Sequence, residues 1–411
     1  MNELRHKVLV VGGGAAGMLA AGAAAEAGAK VILLEKNDRL GKKLAITGKG
    51  RCNVTNHCSP DEVLKNIPRN GRFLYSALNA FPPEQTMAFF EGLGCSLKTE
   101  RGNRVFPESD QSASVIQALR KYLREQHVEV RRARVQAVLT EDGFVAGVQT
   151  EAGVVRGSRV ILCTGGRSYP LTGSTGDGYQ MAEKLGHTIV PTRGSLVPLE
   201  EDGDWCAKMQ GLSLKNVAVR LQNEKGKTVY EDFGELLFTH FGLSGPTILS
   251  ASAHRKEGEQ YKIVLDLKPA LDEQKLDLRM LRDLEQYPNR SIAHVLEALF
   301  PKSMVPVMLE RSGIDPSTQA NSVTRQQRRT LLELTKRFPI QIRGPRPVEE
   351  AIVTAGGVRV KEVDPKTMES KLVHGLYFAG ELLDLDAYTG GFNLQIAWST
   401  GRVAGLAAGG D

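Results

Sequence analysis

Three glycines and an acid near the start of the chain have the spacing of a pyrophosphate and ribose site. Gly12, Gly14 and Gly17 stand at G-x-G-x-x-G positions directly after the apolar run Val8 to Val11, and Glu35 ends a second apolar run twenty-one residues past Gly14. The first glycine permits a tight turn, the second lets backbone N–H groups approach a pyrophosphate, and the third lets a helix pack closely on a strand. The amino end of that helix, at Ala15 and Ala16, faces an anion with unpaired N–H groups and the positive end of its dipole. Glu35, followed by Lys36, is placed to accept a ribose hydroxyl. The bland alternative is a glycine turn that binds nothing.

Two further stretches carry chemistry. Lys36 to Asn56 is rich in glycine and lysine with little periodicity, and so long a structureless loop inside a domain usually works at a site. Gly41, Gly48 and Gly50 allow close backbone approach, Lys42, Lys43, Lys49 and Arg51 supply cations, and Asn53, Thr55 and Asn56 supply neutral donors around Cys52. The stretch reads as wrapping a cofactor, against a solvated basic loop. Near the end, Gly380-Glu381 follows a buried-strand pattern and Thr389-Gly390-Gly391-Phe392-Asn393 precedes a helix from Leu394 to about Leu406. That second glycine turn suits negative charge on a ring or phosphate, and Glu381 suits the hydroxyls of a sugar or ribityl chain. Of the eight histidines, His240 in the aromatic and glycine turn Leu237 to Pro246 stands out, although a lone histidine is more often structural.

Positioning these groups requires parallel strands. The order strand, glycine turn, helix and strand from Val8 to Glu35 reads as a βαβ unit. Broken helices follow from Asp61 to Leu93, then a hairpin from Ser96 to Pro107, a helix from Ser112 to Gln126 and an antiparallel meander from Val128 to Gly165. The meander ends in Arg159 to Cys163, a buried run into Thr164-Gly165-Gly166 that returns the chain to the ligand. Thr175 or Asp177 is expected to cap the next helix, to Leu185. Ser195 to Lys268 is strand-rich, Leu271 to Phe338 helical, and Ala351 to Ala355 and Leu376 to Ala379 read as buried strands.

The chain has 411 residues, 41% hydrophobic and 24% charged, with 43 glycines and a formal net charge of +6. This is a globular composition with a glycine excess suited to laying backbone against a ligand. No apolar run reaches membrane-spanning length and the first strand begins at Lys7, so a cytoplasmic location is expected. Five dispersed cysteines without a C-x-x-C pair argue against a disulfide framework or a metal site. Arg325, Arg328, Arg329, Lys336 and Arg337 form a basic run where a phosphate backbone would be met, if the run is not simply a solvated helix face.

The opening glycine turn with Glu35, the loop Gly41-Lys42-Lys43 through Thr47-Gly48-Lys49-Gly50-Arg51-Cys52-Asn53-Val54-Thr55-Asn56, and the ending Ala379-Gly380-Glu381 with Thr389 to Asn393 resemble the BaiN/RdsA-type (YhiN-like) FAD-dependent oxidoreductases of the two-dinucleotide-binding-domain flavoprotein group. The resemblance covers essentially the whole chain. It implies an α/β fold: a glutathione-reductase-type Rossmann-like FAD-binding domain from residues 1–194 plus 340–411, an inserted β-rich subdomain at 195–270 and a helical, basic subdomain at 271–339. Gly12, Gly14, Ala15, Ala16 and Gly17 would hold the pyrophosphate, and Glu35 with Lys36 the adenosine ribose. Gly380 and Glu381 would hold the ribityl region, with Gly390, Gly391, Phe392 and Asn393 at the pyrimidine edge. Lys43, Gly50, Arg51, Asn53, Thr164 and Gly165 would complete the cofactor site.

The implied activity is NAD(P)H-dependent reduction of an activated C=C bond by the flavin, NAD(P)H being transient because no second complete G-x-G-x-x-G unit is present. One branch of the family acts on a uridine of ribosomal RNA, giving dihydrouridine. Cys52 is the expected proton donor, its thiol tuned by neighbouring cations, unless it is a packing residue; His240 is the second candidate. A reductase or oxidase of a small molecule, and a non-enzymatic flavin-binding or RNA-binding assembly factor, are the alternatives. Nothing in the sequence sets the oligomeric state.

Overall fold

Val8 to Val11 lies at the centre of a five-stranded parallel sheet in the computed structural model, which describes residues 7–410. The sheet strands are β1 (Lys7–Val11), β2 (Lys30–Glu35), β3 (Glu129–Arg132), β4 (Arg159–Leu162) and β5 (Leu376–Phe378), side by side as β5-β4-β1-β2-β3. Every pairing is parallel, with Val10 opposite Ile161 on one side and Leu33 on the other. Both faces of β1 are covered, which explains why it reads as an unbroken apolar run.

Two helices pack against each other beside this sheet: α1 (Ala15–Glu26) and α2 (Phe392–Gly409). Their contact depends on glycines one turn apart. A Cβ at Gly401, Gly405 or Gly409 would lie 2.6, 2.4 or 2.3 Å from the carbonyl oxygen of Ala16, Ala20 or Ala24 respectively. A G-x₃-G-x₃-G stripe therefore lies against an A-x₃-A-x₃-A stripe at backbone contact, and the far ends of the sequence meet in one core.

The unit holding this sheet runs to Ser195 and resumes at Val348; Leu196–Pro347 forms a second unit. The second unit is a closed barrel whose neighbouring strands are, in order, Leu199–Glu201, Gly242–Ser244, Thr228–Phe238, Ser213–Asn223, Tyr261–Asp266 and Phe338–Pro345. Its helices between Glu273 and Lys336 share the barrel's core, Leu276, Met308 and Leu331 packing in one cluster with Val219, Phe238 and Phe338. The expected separation into a β-rich piece and a helical piece at 270/271 is therefore replaced by a single unit. The strand Phe338–Pro345, assigned in large part to the FAD-binding domain, closes the barrel by pairing Ile342 with both Tyr261 and Glu201.

Two local expectations are also corrected. The meander begins at Val135 and not at Val128, because Glu129–Arg132 is the exposed edge strand of the parallel sheet. Its charged sequence resembles a hairpin strand because it lies at the sheet's edge, where only one side is paired. The stretch Lys36 to Asn56 is not structureless, since Leu44–Gly50 coils as 3₁₀ turns kinked at Thr47, Gly48 and Lys49.

Candidate functional site

The glycine turn has one open side. Gly12 has φ +101°, and a Cβ on it would come 2.5 Å from the Cys163 carbonyl oxygen; one on Gly17 would meet the Gly12 carbonyl oxygen. Gly14 differs, because a Cβ there would have nothing within 4 Å. Gly14 is the N-cap of α1, no side chain caps that helix and no acid lies in its first turn. Uncapped N–H groups therefore face open space, the arrangement a pyrophosphate fills. Beside the turn, the Thr164 hydroxyl is buried with no hydrogen-bond partner, a further unused polar group. The residues present fit a dinucleotide.

Glu35 is fixed by the same turn. Its carboxylate accepts the Gly13 N–H at 2.6 Å and the Asn37 N–H at 2.8 Å. Each carboxylate oxygen has a second acceptor position, so the group is oriented with capacity left for a ribose hydroxyl.

The segment Arg51 to Asn56 is joined to the carboxyl-terminal part of the chain by side-chain bonds. Trp398 donates its indole N–H to the Val54 carbonyl at 2.8 Å, Thr55 donates to the Gln395 side-chain oxygen at 2.6 Å, and Asn56 donates to the Gly390 carbonyl at 3.0 Å. With its amide oriented to satisfy both ends, Asn53 accepts the Gly391 N–H at 3.0 Å and donates to the Thr55 and Val105 carbonyls. Gly391, at φ +101°, is the N-cap of α2, and a Cβ on it would lie 2.4 Å from the Thr55 backbone. Like α1, α2 begins without a side-chain cap or an acid in its first turn.

A third cluster surrounds Glu381. Its carboxylate receives Lys43 Nζ at 2.7 Å, the Ser168 hydroxyl at 3.2 Å and the Thr354 N–H at 2.8 Å. Gly380 touches α1 directly, since a Cβ on it would be 2.9 Å from the Ala16 Cβ. A Cβ on Gly165 would reach the Ser174 hydroxyl oxygen at 3.3 Å and the Glu381 carboxylate at 3.9 Å. The glycine turn, the Thr164-Gly165 strand end and the Gly380-Glu381 turn thus converge in one place.

A family model described as HI0933-like protein Rossmann domain matches residues 6–407. The chain belongs to the HI0933-like family. Its relatives include the 3-dehydro-bile acid delta(4,6)-reductase of Clostridium scindens, 35% identical over 98% of this chain and 99% of that one. The ribosomal RNA dihydrouridine synthase of Escherichia coli is 31% identical over 96% of both chains. Among solved structures, the fold is similar to 3-ketosteroid delta1-dehydrogenase from Sterolibacterium denitrificans, at 14% identity and a TM-score of 0.51 over 98% of this chain and 99% of that one.

In this HI0933-like chain several expected site residues have other work. Cys52 is fully buried in the apolar core, and burial pushes its thiol up to about 12. Its neighbour Arg51 does not counter this, because the guanidinium pairs with Glu100 and Asp110 at 2.5 Å and stacks on Phe106. The thiol is therefore enclosed by apolar side chains, with the Arg51 guanidinium engaged elsewhere. His240 is exposed at a turn of the barrel unit, its ring 5.1 Å from that of Phe241. Asn393 closes its own loop through the Ala387 N–H and carbonyl, and Phe392 is buried against Gly390. Lys36 binds Thr175 and Asp177, so those two residues hold a lysine and do not cap the helix at Asp177–Lys184. Gly50, at φ +86°, serves the kinked turn.

The basic run is largely neutralised within its own unit. Arg328 pairs with Asp277 at 2.7 Å, Arg329 with Glu333 at 3.3 Å, Lys336 with Asp266 at 2.6 Å and Arg337 with Glu273 at 2.6 Å. Four of the five basic residues of the run thus form ion pairs within the unit, Arg329 and Arg337 at its surface, with Arg325 the exception among the described residues. Sequence reading missed Ser168, Thr354, Gln395 and Trp398, whose partners lie up to 344 residues away. It also missed Asp386, which is buried and held by Arg69 at 2.6 Å and Ser195 at 2.7 Å. Among the described residues, no helix is long and apolar enough to cross a membrane.

Proposed function

We propose that the protein binds FAD across the glycine turn and reduces a carbon–carbon double bond conjugated to a carbonyl. The observation that carries this reading is the uncapped amino end of α1, open at Gly14 and flanked by the oriented Glu35 carboxylate. The printed activities of the bile acid reductase and the dihydrouridine synthase support the reaction class, since both saturate a ring double bond. Bound flavin would supply the hydride, replenished by NAD(P)H as a visiting reductant. The chain's own part is to hold the anion at α1, to seat hydroxyls on Glu35 and Glu381, and to place the amino end of α2 where negative charge builds. Lys43, paired with Glu381 at 2.7 Å, holds that carboxylate in position. His240 stays a proton-donor candidate beside Cys52, imidazole being a competent general acid.

Gly14→Asp tests the cofactor assignment. Gly14 has φ −84° and open space around its Cβ, so the variant folds, and aspartate at an N-cap does not weaken a helix. The new carboxylate would repel a pyrophosphate. The expected result is loss of bound FAD with an unchanged or raised apoprotein melting temperature; FAD retained at wild-type stoichiometry would refute the site.

A second reading, with a uridine of ribosomal RNA as substrate, is favoured by the +6 net charge and by the dihydrouridine synthases among the relatives. Nucleoside analysis of rRNA from cells lacking the protein decides it: a lost dihydrouridine supports RNA, and an unchanged profile leaves the small-molecule reductase.

A further inference from the structure

Beyond Glu35 the sheet unit contains a cavity of about 350 Å³ whose lining does not suit the cofactor alone. Five arginines line it: Arg39 after β2, Arg120 and Arg124 on the helix Ser112–Glu125, and Arg131 and Arg132 on the edge strand β3. The lining carboxylates are two, Glu35 and Asp38. Glu35 is bonded to backbone N–H groups and Asp38 pairs with Lys42 at 3.3 Å. Among the arginines, Arg131 pairs with Glu129 at 2.6 Å, whereas Arg39, Arg120, Arg124 and Arg132 form no ion pair among the described residues. All five are exposed. Arg120 and Arg124 lie one turn apart on the same helix, a like-charge spacing that costs stability unless an anion sits between them. Leu40, Leu123, Val128 and Val130 supply an apolar floor.

None of the glycines at positions 12 to 17 lines this cavity, so the pyrophosphate of a dinucleotide bound at the turn lies elsewhere. Glu35 is shared, which places the cavity where the adenosine ribose ends. What a dinucleotide carries past that ribose is an adenine ring, neutral at pH 7, which gives no reason for five guanidinium groups. Guanidinium matches phosphate in shape and charge, donating two parallel N–H bonds. The apolar floor would take a base or sugar.

We propose that this arginine-lined cavity is a second anion site, separate from the FAD pyrophosphate, that binds a ligand carrying two or more phosphate groups. The two sources of that chemistry are a free nucleotide polyphosphate and the backbone of an RNA strand. The proposal rests on the FAD reading for its position, and bound FAD is therefore measured independently in its test.

FAD-loaded protein is titrated with a fluorescent single-stranded RNA oligonucleotide and, separately, with inorganic triphosphate followed by thermal melting. The variants are Arg120→Gln with Arg124→Gln, the same pair as Arg→Lys, and Arg325→Gln with Arg329→Gln as the control on the barrel unit. Where RNA is the source, the Gln pair weakens RNA binding by about tenfold and flattens its salt dependence, the Lys pair loses less, and the control pair changes nothing. Where a free nucleotide is the source, the Gln pair abolishes stabilisation by triphosphate and leaves RNA binding as it was. Neither probe responding to the Gln pair overturns the proposal. Loss of FAD from the Gln pair, with both probes unaffected, also overturns it by assigning the arginines to the cofactor. If the wild-type protein binds no FAD, the cofactor reading fails by itself, and the responses of the two probes still decide whether the arginines hold phosphate.

Discussion

Arg51 and Cys52 are neighbours in sequence with opposite surroundings. The cysteine backbone sits at φ +63°, its side chain ends in the core, and the guanidinium ends in surface ion pairs. Sequence order suggested a cation beside a thiol, but a one-dimensional string carries no information on where each side chain points. Cys52→Ala should therefore keep FAD and turnover while losing about 1 kcal/mol of stability for the small void left behind, checked by urea unfolding beside a steady-state assay. Glu26 offers a pH test. Hydrogen bonding to Arg402 holds its carboxyl at about 2, against 4.5 ordinarily. A lowered carboxylate pKa contributes stability that is complete above about 4.5 and is lost as pH falls through about 2. Because Glu26 is exposed, solvent screening reduces the effect to about 1 kcal/mol at neutral pH. Glu26→Gln should lower stability by that amount at pH 7, with the gap to wild type closing as pH falls from 4.5 towards 2 in urea titrations. The Gly-x-Gly-x-x-Gly residues and Glu35 were legible because their neighbours are close in sequence. The Lys43–Glu381–Thr354 cluster was not, because its members are brought together by the fold.

At the scale of elements, the stripe Gly401, Gly405 and Gly409 sets how close α2 lies to α1. A methyl group at Gly405 would meet the Ala20 carbonyl oxygen at 2.4 Å, a backbone atom that cannot rotate away. Gly405→Ala should cost about 2 kcal/mol through this overpacking. Gly92→Ala, at the end of the helix Pro83–Gly92 with nothing within 4 Å, should be neutral or gain a few tenths from helix propensity. Thermal melting of the two variants side by side checks the contrast. Elements with strong apolar patterning, such as β1, α1 and β2, were read correctly from sequence. The misread ones had patterns shaped by their neighbours: Glu129–Arg132 is charged because it is an edge, and Phe338–Pro345 alternates buried and exposed residues because one face lines the barrel.

In the whole chain, one unit is assembled from both ends of the sequence and the other is a continuous insertion. The loop motif Arg51 to Asn56 is tied to the carboxyl-terminal segment, Val54 through its backbone carbonyl to Trp398, and Thr55 and Asn56 through their side chains to Gln395 and Gly390. The broad division was visible in the return of glycine turns near residue 380. The barrel's closing strand was not, since its partner residues Tyr261 and Glu201 lie 81 and 141 residues before Ile342. The central claim is that flavin held at the Gly12 to Gly17 turn reduces a carbonyl-conjugated double bond. The most direct measurement is the flavin absorbance of FAD-loaded protein, bleached anaerobically with NAD(P)H and then mixed with an α,β-unsaturated ketone or a uridine-containing rRNA fragment. The account predicts that the oxidised spectrum returns with one of these acceptors, in proportion to saturated product formed. A flavin that stays bleached with both would contradict it.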